Sequence, residues 1–356
     1  MGSIALLQKK RRKQITVIAV MILAVLVLSF VCLFVGSANM TIEQCLQALM
    51  KKGTNAHNRI IWNIRMPRVL AAIIAGAGLA LSGLIMQTGL NNAMASPSTL
   101  GVSNAAVFGA NLSIIAFSGG FLSTGNNPSN WDVGANPYST SLMAFVFAVV
   151  SVLLILGLCS LRSFSPGVVV LAGLALSSVW TAATTFLQYY ATDVGLSAAV
   201  VWSFGDLGRA TYRTDTIMAI VVAIGFIYFR FSAWQFNALL SGDATARTMG
   251  IRVDLLRFVS MLLASLITAV CVSFLGVIGF VGIICPHVTK KIMGQDHRVS
   301  VPVTALTGML LLLLADTLSR TIGSGSALPV GAITSLLGAP FFLAIIFGKK
   351  EGHHGC

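Results

Sequence analysis

The sequence predicts an all-α membrane protein of about ten transmembrane helices, and three observations carry that prediction. Hydrophobic residues fill 56% of the 356 positions and charged residues only 9%, against roughly 25% charged in a soluble domain. Apolar runs long enough to cross a bilayer recur from end to end, since about 20 residues cover about 30 Å of hydrocarbon. Lys and Arg fall unequally between alternate loops, as expected of a chain that orients its basic loops inward.

In chain order the runs are Ile15–Val35, Val69–Met86, Leu100–Phe117, Leu142–Leu161, Val168–Tyr190, Thr216–Phe229, Val301–Leu318 and Leu328–Phe347. Between Thr216–Phe229 and Val301–Leu318 lies a longer run, Leu255–Thr289. As one helix it would be about 52 Å long at 1.5 Å per residue, too long for the hydrocarbon core. Gly276, Gly279 and Gly282 in its middle offer places to turn back, so two spans are predicted there and ten in all. Ten spans place 15 of the 23 Lys and Arg on the side of the two termini, including Lys290, Lys291 and Arg298. Nine would move that cluster across and erase much of the bias. The chain therefore divides into a basic N-terminus, residues 1–14, a ten-helix domain, 15–347, and a tail, 348–356, with both termini cytoplasmic.

The formal charge of +13 is thus a topological signal, and nucleic acid is not an expected partner. Lys9–Lys13 before the first span resembles the start of a signal peptide. The apolar stretch that follows, about 21 residues, exceeds the 7–15 of a cleaved signal and reads as a retained span. The six cysteines lack metal-type spacing; most lie in or beside apolar runs, where a thiol acts as a small hydrophobe. His353, His354 and Cys356 could hold a soft metal, but a frayed terminus is the better reading. No metal site is assigned.

Two loops have a character of their own. Thr41-Ile-Glu-Gln44 is a capping box followed by Ile42, Cys45, Leu46, Leu49 and Met50 at helical spacing, which predicts a short interfacial helix. Residues 119–140 are rich in Gly, Ser, Asn and Pro and read as an irregular loop. Within the second run, Gly76, Gly78, Ser82 and Gly83 suit close helix contact, with Gly78 and Ser82 as a small-xxx-small pair.

The sequence holds no Gly-x-x-x-x-Gly-Lys-Ser/Thr loop, so ATP binding by this chain is not expected. It also lacks the His-Glu-x-x-His and Gly-x-Ser-x-Gly signatures, so no catalytic residue is assigned and an enzyme is disfavoured. Asp316 is the one acid read as lying well inside a span. A self-powered carrier usually needs more ionisable groups or broken helices at mid-membrane.

Arg65-Met-Pro-Arg68 runs through a Gly- and Ala-rich span to Met86-Gln87, then Asn91-Asn92-Ala-Met94-Ala-Ser-Pro97 and Leu100-Gly-Val-Ser103-Asn104. Further on come Leu171-Ala-Gly-Leu-Ala-Leu176 and Leu240-Ser-Gly-Asp-Ala-Thr-Ala-Arg247-Thr-Met-Gly250. Gly276-Val-Ile-Gly-Phe-Val-Gly282, Pro286-His287, Asp296-His297-Arg298, Leu314-Ala-Asp316 and Leu328-Pro-Val-Gly331 follow in order. This series, from about Arg65 to Phe347, resembles the FecCD family of ABC importer permeases, which includes vitamin B12, haem and iron–siderophore permeases.

The resemblance implies the type II ABC importer permease architecture, functional as a dimer with a second copy or a related chain. It implies two ATPase subunits that bind ATP and Mg, with no cofactor in this chain. It also implies an extracytoplasmic substrate-binding protein and a place among the lipids of a bacterial cytoplasmic membrane. By the same resemblance Arg65, Arg68 and Arg320 dock the binding protein, where fixed cations could pair with carboxylates. The plainer alternative for Arg65 and Arg68, which the resemblance disfavours, is interfacial snorkelling; Asp316, one turn from Arg320, could hold that residue instead. The polar insert Ser241–Val253 matches the coupling helix that seats on the ATPase, with Ser241, Gly242, Asp243, Ala246, Arg247 and Gly250 as its residues. Asp243 would cap that helix and Gly250 end it. Asn92, Met94 and Ser165 match a cytoplasmic gate, although Met94 is an apolar replacement and Pro166-Gly167 departs from the family pattern. Pore-facing residues within Leu171–Gln188 are expected but not assigned. The alternative function is an ATP-independent secondary transporter or channel.

Overall fold

A computed structural model describes residues 2–36, 40–117, 137–160, 166–322 and 327–347. The described residues form fifteen α-helices and no strand. They are α1 (Gly2–Phe34), α2 (Ile42–Leu49), α3 (Asn55–Arg59), α4 (Met66–Gly89) and α5 (Val102–Asn111), then α6 (Pro137–Ser160), α7 (Pro166–Tyr189), α8 (Asp193–Ser203), α9 (Tyr212–Phe231) and α10 (Ala233–Leu239). The last five are α11 (Asp243–Thr248), α12 (Val253–Leu275), α13 (Val281–Met293), α14 (His297–Ile322) and α15 (Val330–Phe347). Wide π-type turns carry α3 into α4 through Ile60–Arg65 and extend α5 through Leu112–Phe117.

Each predicted span has its helix, but the spans are not alike. Seven of the described helical segments are long and apolar enough to cross a membrane by themselves. The third is shorter because α5 and its π extension cover Val102–Phe117. The eighth is shorter still. α13 has 13 residues, about 20 Å of helix. The long run Leu255–Thr289 breaks as expected, after Leu275, where Gly276 takes φ +78°. The chain then runs without regular structure to Phe280, which takes φ +64°, and Gly282 lies inside α13, not in the turn. Non-helical backbone at such depth needs cover by protein. Here the Asp206 N–H donates to the Leu275 carbonyl (2.7 Å) and the Gly331 N–H to the Gly205 carbonyl (3.4 Å). A Cβ on Gly205 would lie 2.3 Å from the Val277 carbonyl oxygen.

α4 is the axis of the fold, with every residue from Ala75 to Gly89 buried among α9, α12, α13 and α14. Its closest contacts are at Gly76 and Gly83, seven residues apart and therefore on one face. A Cβ at Gly76 would lie 2.4 Å from the Gly308 oxygen of α14, and one at Gly83 1.8 Å from the Gly282 oxygen of α13. Gly78 instead meets the Val222 and Ile267 side chains of α9 and α12. The backbone-to-backbone contacts thus belong to Gly76 and Gly83 rather than to the Gly78–Ser82 pair. Outer helices keep large apolar side chains exposed, among them Leu23 and Leu26 on α1, as a lipid-facing surface requires.

Two features go beyond the sequence reading. α8, N-capped by Thr192, is a short helix between the fifth and sixth spans; it is too short for a search of span-length runs to register. α10 follows α9 after a break at Ser232. The short helix predicted there, α2, forms with both halves of its capping box, Thr41 and Gln44. The irregular loop is described only from Pro137 onward, and the His353–Cys356 tail lies outside the described residues.

Candidate functional site

The polar side chains gather at the two ends of α4, called here upper (its N-terminus) and lower (its C-terminus). At the upper end Arg65 closes the π turn before α4, Pro67 occupies the first turn and Arg68 follows one turn on. The last carbonyls of a helix have no partner within it. Those of α1 are met by guanidinium groups. Arg65 Nη1 donates to the Leu33 and Phe34 oxygens (2.7 and 3.1 Å), and Arg320 Nη1 to the Cys32 and Val35 oxygens (3.0 and 2.6 Å). Arg209 treats α8 the same way, donating to Val201 and Trp202 (2.8 and 2.9 Å).

Asp316, with no exposed surface, sits between two cations. Arg68 Nε donates to its Oδ1 at 2.6 Å, and Arg320 Nη2 lies 2.8 Å from its Oδ2. Arg68 Nη2 reaches Asp206 at 3.7 Å, and Asp206 is the half-exposed member of the group. The three arginines singled out from the sequence are therefore brought together, but they are buried and bonded to α1, to Asp316 and to Asp206. Placement at a surface open to a partner is not what the fold gives Arg65 and Arg320. The exposed upper cations are Lys51, Lys52, Arg59 and Arg213.

At the lower end Gly242 takes φ +101° and ψ 156°, a conformation nearly confined to glycine, and starts α11. Asp243 does not cap this helix. It is the first helical residue, and its carboxylate pairs with both Nη1 and Nη2 of Arg257 (2.6 and 2.7 Å). Gly250, at φ +81°, ends α11 as expected, and the Ile251 N–H closes back on the Ala246 oxygen (3.1 Å). Ala246 is buried, whereas Ser241, Gly242, Arg247 and Gly250 are exposed. Arg247 pairs with Asp254 at 3.2 Å.

Just beyond α4, the Met94 N–H donates to Asn92 Oδ1 (2.9 Å), an Asx turn that presents Met94 half-exposed. Ser165 lies outside the described residues. The exposed face of α7 expected to line a pore stands apart from a cavity of about 930 Å³ lined by Tyr138, Ser141, Asp193, Ser197, Arg209 and Phe274. Among the described residues no group of His, Cys, Asp and Glu is arranged to hold a metal.

The sequence reading assigned no part to Arg257, Asp206, Asn237, Thr88 or His297, which link these ends to the rest of the fold. Arg257 carried one faint signal, as the lone charge near the start of a long apolar run.

The FecCD transport family model matches residues 22–348. The chain belongs to the FecCD transport family. A protein of Methanocaldococcus jannaschii provisionally assigned as an ABC transporter permease is 45% identical over 94% of this chain and 95% of its own. The haemin transport system permease of Yersinia pestis is 34% identical, covering 94% of this chain and 98% of its own. A solved inward-facing structure, provisionally assigned as a metal-chelate type ABC transporter, superposes with a TM-score of 0.80 at 25% identity, covering 93% of this chain and 99% of that one. The FecCD chain is thus a transporter component, and the all-helical permease fold expected of it is the fold observed.

Proposed function

We propose that this FecCD chain is the membrane permease of a binding-protein-dependent ABC importer that takes up a metal chelate, namely an iron siderophore, haem or cobalamin. The observation that carries the reading is α11. It is a short exposed helix, broken from its neighbours by Gly242 and Gly250 and held to the bundle through Asp243 and Arg257. A lever of this kind suits contact with a separate ATPase. Two copies of the chain, or this chain and a relative, would face two such ATPase subunits carrying ATP and Mg. The lower end is then cytoplasmic, with both termini on that side and the bundle in the plasma membrane.

On this reading the carboxylates of an acidic binding protein dock at the upper end. Arg68 is the arginine best placed to exchange partners, because its 3.7 Å contact with half-exposed Asp206 can be replaced without uncovering a buried acid. Arg65 and Arg320 support that surface by holding α1. Asn92 and Met94 of the second-to-third loop and Ser165 of the fourth-to-fifth are the candidate gate residues.

Reconstitution tests the whole. The chain, co-expressed with an ATPase subunit and a binding protein, is placed in liposomes and offered haem, a ferric hydroxamate and cobalamin in turn. Uptake of one of them that requires MgATP and the binding protein supports the proposal. Uptake by this chain alone, without nucleotide, would replace it with a secondary carrier or channel.

A further inference from the structure

Arg257 sits where three elements of the lower end meet. Its Nη atoms hold Asp243 at the start of α11, and its Nε donates to the oxygen of Gly89, the last residue of α4, at 2.7 Å. Its side chain is 5% exposed, so water cannot readily stand in for either bond. We propose that Arg257 is a positioning residue that carries displacement of α11 to the last turn of α4 and so to the Asn92–Met94 loop. The inference rests on the reading of α11 as the ATPase-facing helix.

Two further observations shape the idea. Over most of its length α4 packs backbone to backbone, at Gly76 against α14 and at Gly83 against α13. Gly89 differs, for a Cβ there would meet nothing within 4 Å. The backbone-to-backbone contacts therefore stop short of the final turn, which is held by side chains: Arg257 bonds to Gly89, and Gln87 bonds to the Gly282 oxygen at 3.2 Å. A second link reaches the same turn from α10. Asn237 Oδ1 accepts from the His297 N–H (2.8 Å) and lies 3.0 Å from ring Nδ1. An amide oxygen cannot donate, so Nδ1 carries the ring proton. Nε2, at 2.8 Å, then accepts from the Thr88 hydroxyl. The elements on both sides of α11 thus grip Thr88 and Gly89, and Leu90 leads directly into the gate loop.

Lysine cannot replace Arg257 here, since a single ammonium lacks the planar fork that binds a carboxylate bidentately while a third nitrogen serves Gly89. The test uses the assembled complex with its ATPase in nanodiscs, in a cysteine-free background. Spin labels are placed at Met94→Cys in the gate loop or Thr248→Cys on α11, and MgATP is the probe. In the otherwise unaltered chain both labels should respond. In Arg257→Lys the α11 label should still respond while the loop response falls at least threefold. The charge-exchanged pair Asp243→Arg with Arg257→Asp provides a second test if the lysine variant fails to assemble. It restores an ion pair, but the carboxylate now on α12 cannot donate to Gly89, so its loop label should also be unresponsive. A loop response equal to that of the unaltered chain in either variant overturns the proposal. Silence of the α11 label in the unaltered complex overturns the coupling reading itself, and this inference with it.

Discussion

Asp316→Asn removes one charge from the upper cluster while keeping the side-chain volume, and its cost can be worked from the surroundings. The carboxylate faces Arg68 at 2.6 Å and Arg320 at 2.8 Å, and the three side chains are 0%, 10% and 5% exposed. Breaking a buried ion pair from one side costs about 3–5 kcal/mol, because the remaining charge is left without compensation. An exposed pair is worth at most about 1 kcal/mol. Arg320 keeps its bonds to the Cys32 and Val35 oxygens, and Arg68 can lean toward Asp206. The loss should therefore lie near the lower figure, about 3 kcal/mol. Purified chain in detergent micelles, unfolded by a denaturing surfactant and followed by circular dichroism, gives the value. Arg320→Gln and the double variant complete a cycle, and the double should cost less than the sum by at least about 1 kcal/mol. A single substitution within about 1 kcal/mol of the unaltered chain, with an additive double, would refute the buried-network account.

Other expectations follow from local geometry. Arg65→Ala removes two charge-assisted bonds from the end of α1, each worth about 1.5–3 kcal/mol; amide exchange should quicken at residues 31–35 and remain unchanged in α12. Gly83→Ala must push α4 from α13 and should cost about 1–3 kcal/mol by surfactant unfolding, whereas Gly89→Ala, with open space around it, should stay within about 0.5 kcal/mol. Gly242→Ala forces a glycine conformation on a residue with a Cβ, a strain of about 1–3 kcal/mol confined to α11. Nucleotide-dependent uptake should fall at least fivefold, while the loss by surfactant unfolding should not exceed that strain, about 3 kcal/mol.

Much of the architecture was legible because hydrophobic length and charge placement are local properties. Leu255–Thr289 had to break, since no bilayer accommodates so long an apolar helix, and it broke at Gly276. The capping box at Thr41 and Gln44 was legible for the same reason, as its bonds span three residues. α8 was not, because its apolar stretch is too short to count as a span and its Thr192 cap signals a helix only once the helix is suspected. The small residues of α4 were visible, but which of them touch backbone depends on where α13 and α14 lie. The site residues divide in the same way. The Arg65–Arg68 and Ser241–Gly250 segments stood out as patterns, whereas the role of Arg257 depends on partners 14 and 168 positions away.

The sequence by itself determined that this chain is a multi-pass membrane protein, where its apolar runs lie and which family it resembles. Those properties follow from transfer free energy summed along contiguous residues and from motifs read in order. Only the tertiary structure decided what the charges do. Burial and distance assign a cation to a helix end, an acid or a partner, and both are set by helices far apart in the chain. Three arginines that looked like an open docking set are thereby largely committed within the fold, and an arginine with no evident role joins α11 to α4.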